Sequence, residues 1–466
     1  MKIAYLISHG HTARGALQTG LLKKLGRLGE VHVVAKPDAV ESLQNQLGQD
    51  VKAIHGYDYT LSSSDQHLSV FRMHVHQNIK KNPALWEKHL WRTRSKSNTW
   101  KRRLLNYLFF YAGALIRVVP GGKSLFYRIE AKGYYKPDAV RILSSIEADL
   151  LISTRPVDEM EICMLEAARR LGIHRSFYIL SWDNITSKGV FPVSGDTYLT
   201  WGPIMNKELS EYYKVPESKT YNTGVTHFDI HAQVREGDLL QVNLLDQMGL
   251  DSKKPYLFFT MSASYYAPNE IDIVEWLAKA VEDNRFGNEM QLVIRPHMAN
   301  LMADRSDQSW LTRLNKLPSK RVTLDVPDSD NSLLTWYMKQ DDMIKLSNLI
   351  HGSSICLNSG STISIEAAYL NRPIILTSFD ISDFPKWQSA RRLLEYLHLK
   401  KFISFGGCAV VQDLKSLEKA INRYLEEPSL HEVNRLEAVE MECFKNDGKA
   451  TDRFVKNVSE ILNGLK

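Results

Sequence analysis

The apolar positions of the chain fall into short runs that alternate with longer amphipathic stretches. The first run covers residues 3–7, a polar glycine-bearing loop covers 8–15, and a helical pattern covers about 16–28 before the next apolar run at 30–35. A buried strand, a helix and a second buried strand in this order predict a βαβ unit with parallel strands. The same rhythm returns later in the chain, so we expect an α/β protein.

The α/β rhythm divides the chain into two halves. With 466 residues, the chain exceeds the ~250–300 residues that one hydrophobic core serves. We therefore predict two Rossmann-like parallel-sheet domains facing a cleft, with a helical insert in the first. The predicted parts are a first domain at 1–228 with its insert at about 61–135, a connection at 229–254, a second domain at 255–445 and a C-terminal helix at 446–466. Ligands of such sheets bind outside the carboxyl ends of the strands, which makes the loops there the candidate site.

The composition indicates a folded protein of a reducing compartment. Hydrophobic residues make up 44% and charged residues 24%, which excludes a fibrous or disordered chain. The four cysteines, Cys163, Cys356, Cys408 and Cys443, form no CxxC pair, and this argues against a zinc ribbon or a disulfide framework. The apolar run at the N-terminus is too short for a signal peptide, so we expect a cytoplasmic protein.

The net charge of +6 is concentrated in the insert. Residues 80–103 carry only one acid, Glu87, against Lys80, Lys81, Lys88, Arg92, Arg94, Lys96, Lys101, Arg102 and Arg103. The strongly apolar stretch at 104–119 follows, and it is shorter than the ~20 residues that a membrane span needs. It is interpreted either as a buried helix or as a segment that touches the inner face of a membrane peripherally through 80–119. A nucleic-acid partner is the less favoured use of this charge.

The strongest candidate site in the second domain follows a predicted strand and opens a helix. It consists of Asn358, Ser359, Gly360, Ser361 and Thr362. Small hydroxyl residues around a glycine at the start of a helix can bind a phosphate through their hydroxyl and backbone N–H groups. The alternative is an ordinary N-cap, which needs only one such residue.

Four further residues of the second domain are candidates for the same ligand. Glu366, one turn into the helix, could accept a hydrogen bond from a ribose hydroxyl. Arg295 and His297 follow the preceding predicted strand and could clamp a diphosphate. Ser262 follows the first strand of the domain and could face the same phosphates. The alternatives are a structural helix carboxylate, a histidine in a turn and an ordinary polar loop.

The first domain offers three rival candidates for a catalytic base. His9 and His11 follow the opening strand, and an imidazole titrates near neutral pH. Asp183 follows a later strand beside a tryptophan, an arrangement that suits a sugar. The alternatives are a capping or structural histidine and a turn that Asp183 stabilises. No third ligand accompanies the two histidines, so we expect no metal.

Several motifs resemble the second half of GT-B enzymes that build surface polysaccharides. They are RPH at 295–297, NSGSTISIEAAYLNRPII at 358–375 and NDGKATDRFV at 446–455, and SWDNITSKG at 181–189 resembles uncharacterised bacterial glycosyltransferases of this kind. The group includes CDP-glycerol glycerophosphotransferases, Kdo and sialic-acid-type transferases and UDP-GlcNAc 2-epimerases. The resemblance covers about 149–466 and implies an inverting mechanism without a metal.

The residues and the resemblance together give the expected function. We expect a glycosyltransferase, of hexosyl or nonulosonic-acid type, that moves a sugar from a CMP- or UDP-linked donor to a glycan, lipid-linked or protein acceptor. The nucleotide sugar is then a substrate, and no further cofactor is expected. A nucleotide-sugar 2-epimerase or a polyol-phosphate transferase on the same fold is the alternative. The 61–135 insert argues against the epimerase, which is usually more compact.

Overall fold

A computed structural model describes residues 1–301, 308–328 and 337–465. The chain forms two compact units. Among the described residues, unit 1 consists of 1–227, 337 and 449–465, and unit 2 consists of 228–328 and 338–448. Each unit is built on one parallel sheet, as the sequence predicts.

Unit 1 contains a seven-stranded sheet. Its strands are β1 (Lys2–Ile7), β2 (Glu30–Ala35), β3 (Ala53–Gly56), β4 (Leu150–Ser153), β5 (His174–Tyr178), β6 (Thr197–Thr200) and β7 (Thr220–Asn222). They lie in the order β3-β2-β1-β4-β5-β6-β7, and every neighbouring pair is parallel. The strand order reverses between β1 and β4. This reversal is the topological switch point, where sheets of this type bind their ligands.

The helices of unit 1 are numbered along the chain. They are α1 (Gly10–Gln18), α2 (Leu21–Leu25), α3 (Val40–Leu47), α4 (Ser63–His76), α5 (Pro83–Arg94), α6 (Trp100–Val118), α7 (Gly122–Tyr134), α8 (Pro137–Ile146), α9 (Glu159–Leu171), α10 (Asn184–Ser187) and α11 (Pro203–Tyr213). Helices α4 to α7 form the insert. The predicted single helix after β1 is instead the pair α1 and α2, because Gly20 between them adopts a left-handed backbone with φ +64°.

Unit 2 repeats the architecture with six strands. These are β8 (Tyr256–Thr260), β9 (Gln291–Arg295), β10 (Val322–Leu324), β11 (Ile355–Asn358), β12 (Ile374–Leu376) and β13 (Ala409–Val410). They lie in the order β10-β9-β8-β11-β12-β13, so this sheet reverses between β8 and β11. The helices are α12 (Asp229–Glu236), α13 (Leu244–Gln247), α14 (Glu270–Glu282), α15 (Gln308–Leu314), α16 (Gln340–Gly352), α17 (Ile363–Tyr369), α18 (Leu397–Ser404), α19 (Leu414–Glu426) and α20 (Glu432–Cys443).

The central strands of both sheets are buried along their whole length and mostly apolar, which is the pattern of a parallel sheet covered on both faces. All five residues of β8 are buried, as are all residues of β4 and β11. In unit 2 the strands pack with α14 and α19 through residues such as Leu277 and Leu417 in one continuous core. Each core therefore holds the carboxyl ends of its strands in a fixed position.

The boundaries of the units differ from the ranges given by the sequence pattern. The stretch at 229–254 belongs to unit 2, where α12 packs on α16 and His231 lies 2.8 Å from the Ser347 hydroxyl. The last helix, α21 (Ala450–Asn463), belongs to unit 1. Lys24 pairs with Asp452 at 2.6 Å, and Phe454 packs edge-on against Tyr178. Polar composition and a terminal position do not reveal such packing.

The insert packs around one buried ion pair and one glycine. Arg72 on α4 is almost fully buried, and it donates to Glu130 on α7 at 2.7 Å and to the Val190 carbonyl at 2.6 Å. Gly113 brings α6 against α4, since a Cβ atom there would lie 2.7 Å from the backbone of His74. Helix α6 is not buried as a whole, because its other face is exposed. No helix in the described parts of the chain has the length and apolar character needed to cross a membrane.

We expect Gly113→Val to destabilise unit 1 by about 1–3 kcal/mol, because the new side chain would force α6 away from α4. Ala112→Val is the matched control, since Ala112 is the exposed neighbour on the same helix. Urea denaturation of both variants measures the difference. Equal stabilities of the two variants would contradict the close approach of the helices.

Candidate functional site

The candidate site of unit 2 lies at the switch point, where the loops that follow β8 and β11 meet. These two strands are neighbours, with Thr260 paired to Asn358 at their carboxyl ends. The first loop carries Ser262, and the second carries Ser359 to Thr362 before α17 begins. The structure thus brings together most of the predicted phosphate-binding residues of the second domain.

Asn358 organises the loop after β11. Its side-chain oxygen accepts hydrogen bonds from the N–H groups of Gly360 at 2.7 Å and Ser361 at 3.0 Å, and from the Ser364 hydroxyl at 2.8 Å. One buried amide therefore fixes the turn and the start of α17. Asn358 and Ser359 are buried beneath the loop, whereas Gly360, Ser361 and Thr362 are partly exposed and form its outer face.

Gly360 is required by the geometry of this turn. Its φ is +88°, a left-handed conformation that side chains rarely adopt, and a Cβ atom there would collide with the side chain of Leu399. A larger residue would have to displace α18 or change the course of the loop. The glycine therefore sets the position of the hydroxyls that follow it.

Glu270, the first residue of α14, ties the two loops together. Its carboxylate accepts from the Ser262 N–H at 2.6 Å and from the Ser359 hydroxyl. Burial raises the pKa of Glu270 to about 7, because a charged carboxylate loses its hydration there, although both hydrogen bonds favour the charged form. A single protein group thus holds both loops of the switch point.

His297 and Asn300 extend this frame to the loop after β9. The Asn300 side chain donates to the Ser262 carbonyl at 2.8 Å and accepts from the Ser264 N–H at 2.9 Å. The Nδ1 atom of His297 accepts from the Ala299 N–H at 3.0 Å, which leaves the ring hydrogen on Nε2. Burial lowers the pKa of His297 to about 4, so at neutral pH the ring is an uncharged hydrogen-bond donor.

Arg295 makes its contacts inside unit 2. Its guanidinium is buried and pairs with Asp325 and with Asp342, the latter at 2.5 Å, and the Lys345 ammonium lies 2.7 Å from Asp325. Because the loss of one partner from such a buried ion pair is costly, the pairs hold β9, β10 and α16 in one arrangement. The diphosphate role of Arg295 stays a prediction, and it would require the guanidinium to leave one of these partners.

Glu366 contacts α12. Its carboxylate lies 3.3 Å from Nε2 of His231, and both side chains are buried. The other ring nitrogen of His231 contacts Ser347. The structure therefore shows Glu366 joining α17 to α12, and its contact with a ribose stays a prediction.

The switch point of unit 1 is built on a similar buried carboxylate. Glu161 on α9 accepts from the Ser8 hydroxyl at 2.5 Å, the Ser153 hydroxyl at 2.6 Å and the Arg155 N–H at 2.8 Å. Burial raises the pKa of Glu161 to about 7. The loops after β1 and β4 are tied together in this way, as the loops after β8 and β11 are in unit 2.

The two candidate histidines of unit 1 lie at the start of α1. His9 is the N-cap of α1. Its Nδ1 atom accepts from the backbone N–H of His11 at 3.4 Å, and its backbone N–H donates to the Thr12 hydroxyl at 3.1 Å. His11 is exposed by its surface area, and the two rings stack with centroids 5.3 Å apart. Loss of hydration around its ring, with a smaller effect of the nearby Arg14, lowers the pKa of His11 well below its usual value, so the ring is uncharged at neutral pH. The capping interpretation thus describes His9, whereas the His11 ring is presented at the carboxyl edge of the sheet.

Asp183 is held within its own turn. Its carboxylate accepts from the hydroxyls of Ser181 at 2.7 Å and Ser187 at 2.8 Å, and Lys188 lies 3.0 Å away. These contacts agree with the interpretation that Asp183 stabilises its own turn. The role of Asp183 as a catalytic base stays a prediction, and the function proposed below does not use it.

Metal binding has no visible support in the described residues. No three His, Cys, Asp or Glu side chains within 1–301, 308–328 and 337–465 form a group that could hold an ion. The expected metal-free chemistry stays a prediction. The hydroxyls of Ser361 and Thr362 and the imidazole N–H of His297 are hydrogen-bond donors, which suit an anionic oxygen-rich ligand.

Sequence reasoning missed the groups that hold the frame, namely Glu161, Glu270 and Asn300. Two of them are carboxylates in the first turn of a helix, where acids are common for reasons of the helix dipole alone. The serines in the neighbouring loops were the only signal in the sequence that these acids could accept hydrogen bonds inside the protein.

The buried atoms Asn358 Nδ2 and Thr377 Oγ1 find no hydrogen-bond partner among the described residues.

Comparison with known proteins places the fold. No protein-family model matches the sequence, and no curated protein matches it with significance. Three solved structures illustrate the likeness. A putative UDP-N-acetylglucosamine 2-epimerase from Listeria monocytogenes gives a TM-score of 0.57 at 11% identity, covering 100% of this chain and 97% of that chain. The MnaA–UDP co-structure from S. aureus gives 0.56 at 13% identity, covering 99% and 97%.

The third structure, a glycosyltransferase from Rickettsia africae, gives a TM-score of 0.51 at 12% identity, covering 100% of this chain and 98% of that chain. Likeness at such identities shows the fold alone. The chain has the GT-B fold, with two parallel-sheet α/β domains of seven and six strands. The fold expected from the sequence is thereby confirmed.

We expect Glu270→Gln to remove part of the pH dependence of stability. The pKa of Glu270 is about 7 in the folded protein and near 4.5 ordinarily, so the folded state holds a proton that the unfolded chain has released. The free energy of unfolding therefore falls as pH rises through this window, by about 3 kcal/mol from this group. Urea denaturation measures the free energy of unfolding of both proteins at about pH 5 and about pH 8. Relative to the wild type, Glu270→Gln should be more stable at pH 8 than at pH 5 by about that amount.

The matched control is Glu289→Gln, because Glu289 is an exposed carboxylate of the same unit. Glu161 contributes its own pH dependence equally to all three proteins, so it cancels in the comparison. If the wild type and Glu270→Gln lose the same stability between the two pH values, the carboxylate is not held as described.

Proposed function

We propose that this protein is a nucleotide-sugar-dependent glycosyltransferase whose unit 2 binds the diphosphate of the donor. The observation that carries the proposal is the loop of residues 358–362 at the switch point of unit 2. Its turn is fixed from beneath by Asn358, and its outer face presents Gly360, Ser361 and Thr362. A ligand can meet these groups without any rearrangement of the loop.

The chemistry of the loop suits a phosphate oxygen. Ser361 and Thr362 each offer a hydroxyl donor on the outer face of the loop, while the Gly360 and Ser361 N–H groups are already bonded to Asn358. Hydrogen bonds to a charged oxygen are the strong ones, so a few fixed donors are enough for specific binding.

Two buried groups at the same edge support a bound ligand or water. Asn358 Nδ2 and Thr377 Oγ1 lie at the carboxyl ends of β11 and β12, and within the described residues neither finds a hydrogen-bond partner. The Thr377 N–H donates to the Asn358 carbonyl at 2.8 Å, which joins these ends directly. Both atoms are therefore able to form a hydrogen bond with a group bound at this edge.

Uridine diphosphate is the nucleotide that we propose first. The S. aureus structure is named as a complex with UDP, and the Listeria structure is named for a UDP-sugar. The proposal takes the nucleotide from those names and the phosphate contacts from this chain. The CMP-linked donor remains the alternative for the same phosphate-binding loop.

For the acceptor step we propose His11 as the base. It presents an imidazole at the carboxyl edge of the sheet of unit 1, next to the capping His9. Its role would be to remove a proton from the acceptor hydroxyl while the sugar is transferred. The hydrogen bonds of the 358–362 loop would stabilise the charge that develops on the leaving diphosphate. No metal is needed in this scheme.

A nucleotide-sugar 2-epimerase is the second candidate function. It is favoured by the names of the compared structures, of which the Listeria protein is one. The proposed phosphate contacts of unit 2 are the same in both functions. The two differ in what happens at the sugar, since an epimerase exchanges the hydrogen at C2 and a transferase needs an acceptor.

Binding of UDP should depend on the hydroxyls of the loop. We expect the double variant Ser361→Ala, Thr362→Ala to weaken UDP binding by about tenfold to hundredfold, because each lost donor contacts a charged oxygen. Isothermal titration calorimetry with UDP, CMP, CDP, GDP and dTDP measures the affinities and ranks the nucleotides.

Ser404→Ala is the control, since Ser404 is an exposed serine at the end of α18. It should bind UDP as the wild type does, and the double variant should keep the wild-type melting temperature. Absence of binding by every nucleotide, or equal losses in the control, would contradict the assignment of the loop.

Incubation with UDP-N-acetylglucosamine in deuterated water separates the two candidate functions. A transferase leaves the hydrogen at C2 in place when no acceptor is added, and we expect this result by proton NMR. Release of UDP should then require an acceptor from a panel of glycans and polyprenyl phosphates. Deuterium at C2 without an acceptor would establish the epimerase instead.

A further inference from the structure

Helix α6 presents a continuous apolar surface to solvent. Seven of its side chains are between 43% and 76% exposed, namely Trp100, Leu104, Tyr107, Leu108, Tyr111, Leu115 and Val118. We call these residues the α6 stripe. Single exposed apolar residues are normal on a protein surface, but a row of this length marks an interaction surface.

The spacing shows that the α6 stripe is one face of the helix. At about 100° per residue, the seven positions fall within an arc of roughly 100°. The opposite face packs onto the insert through Asn106 and Gly113, which are buried, and through Phe110, which contacts the ring of Trp86. One face of helix α6 is therefore covered by the insert, and the apolar α6 stripe on the other face is not.

Helix α7 continues the surface. Its Leu125 and Ile129, one turn apart, are 61% and 50% exposed, and Val119 between the helices is also exposed. Helix α6 has 19 residues and a length of about 28 Å. The exposed area thus extends along an entire helix and onto the next.

The charges around this surface have one sign. Residues 94–129 contain no acid, and they contain Arg94, Lys96, Lys101, Arg102, Arg103, Arg117, Lys123 and Arg128. Arg103, Arg117 and Lys123 donate to backbone carbonyls of the insert. Arg94, Lys96, Lys101, Arg102 and Arg128 are exposed near the ends of the α6 stripe.

We propose that the α6 stripe and the exposed cations beside it bind the surface of an anionic lipid bilayer, with α6 lying in the plane of the interface. The apolar side chains would enter the boundary between headgroups and acyl chains, and the cations would contact the lipid phosphates. Exposed Trp100, Tyr107 and Tyr111 suit this boundary, because their rings combine an apolar body with a polar edge.

The charge pattern favours lipid over a second copy of the chain. A symmetric dimer places the same patch on both partners, so the cations of one copy would meet those of the other without an intervening acid. An anionic headgroup layer neutralises all of them at once. The proposal is independent of the nucleotide site, since every residue in it belongs to the insert.

Co-sedimentation of the full chain with vesicles tests the proposal. We expect binding to phosphatidylcholine vesicles that contain phosphatidylglycerol and much weaker binding to phosphatidylcholine alone. The triple variant Leu104→Gln, Leu108→Gln, Leu115→Gln should lower the partition coefficient by more than about tenfold. The double variant Lys101→Gln, Arg102→Gln should lower binding to the anionic vesicles by roughly tenfold or more and reduce its salt dependence.

The matched control replaces exposed apolar residues of unit 2, with Leu240→Gln, Val242→Gln and Val433→Gln. It should bind vesicles as the wild type does. The proposal is overturned if the wild type stays in solution with all vesicles, or if the control and the stripe variant lose binding equally. A dimer in light scattering that the stripe variant dissociates, without vesicle binding, would overturn it in favour of a second copy.

The depth of α6 in the bilayer can be measured by the fluorescence of Trp100, one of the nine tryptophans of the chain. Trp100 begins the α6 stripe, so its fluorescence should shift to the blue on anionic vesicles and be quenched by brominated acyl chains. Trp100→Phe should lose this lipid-dependent signal while still co-sedimenting. An unchanged lipid-dependent signal in Trp100→Phe would contradict the proposed orientation.

Discussion

The two candidate binding edges of this protein depend on the same constraint, which is a buried carboxylate that must be hydrogen-bonded where it lies. Glu161 in unit 1 and Glu270 in unit 2 each accept hydrogen bonds from the two loops that flank a switch point. A buried carboxylate without such partners costs several kcal/mol or takes up a proton. Each therefore holds its loops in one arrangement, and the loops in turn present the groups that can meet a ligand.

The site in unit 2 follows from this constraint step by step. Glu270 fixes Ser359, the turn at Gly360 follows, and Asn358 supports that turn from below. Ser361 and Thr362 then reach the surface in positions that the core has already set. The loop loses its conformational entropy when the protein folds, so ligand binding does not have to order it. The insert has a separate organisation around Arg72 and Gly113, which leaves the outer face of α6 uncovered.

The sequence pattern was sufficient for the two parallel sheets and for the loop at 358–362, because continuous apolar runs and a glycine among hydroxyl residues are local signals. It was not sufficient for β3 and β10, which lie at the sheet edges and carry short or mixed runs. The partners of Arg295 are 30 and 47 residues away in the chain, so no local pattern could show that its guanidinium is paired inside unit 2. The buried Glu270 and the uncovered face of α6 likewise depend on tertiary packing, which a single sequence does not display.

The central claim is that the switch point of unit 2 binds a nucleotide diphosphate. Hydrogen–deuterium exchange of the full chain, followed by mass spectrometry with and without saturating UDP, tests it most directly. The account predicts slower exchange in peptides that cover residues 358–363 and 261–264, because a bound ligand would hinder the opening of these loops and so protect their backbone N–H groups. Protection confined to peptides of residues 1–227, or no change in unit 2 while UDP is bound, would contradict it.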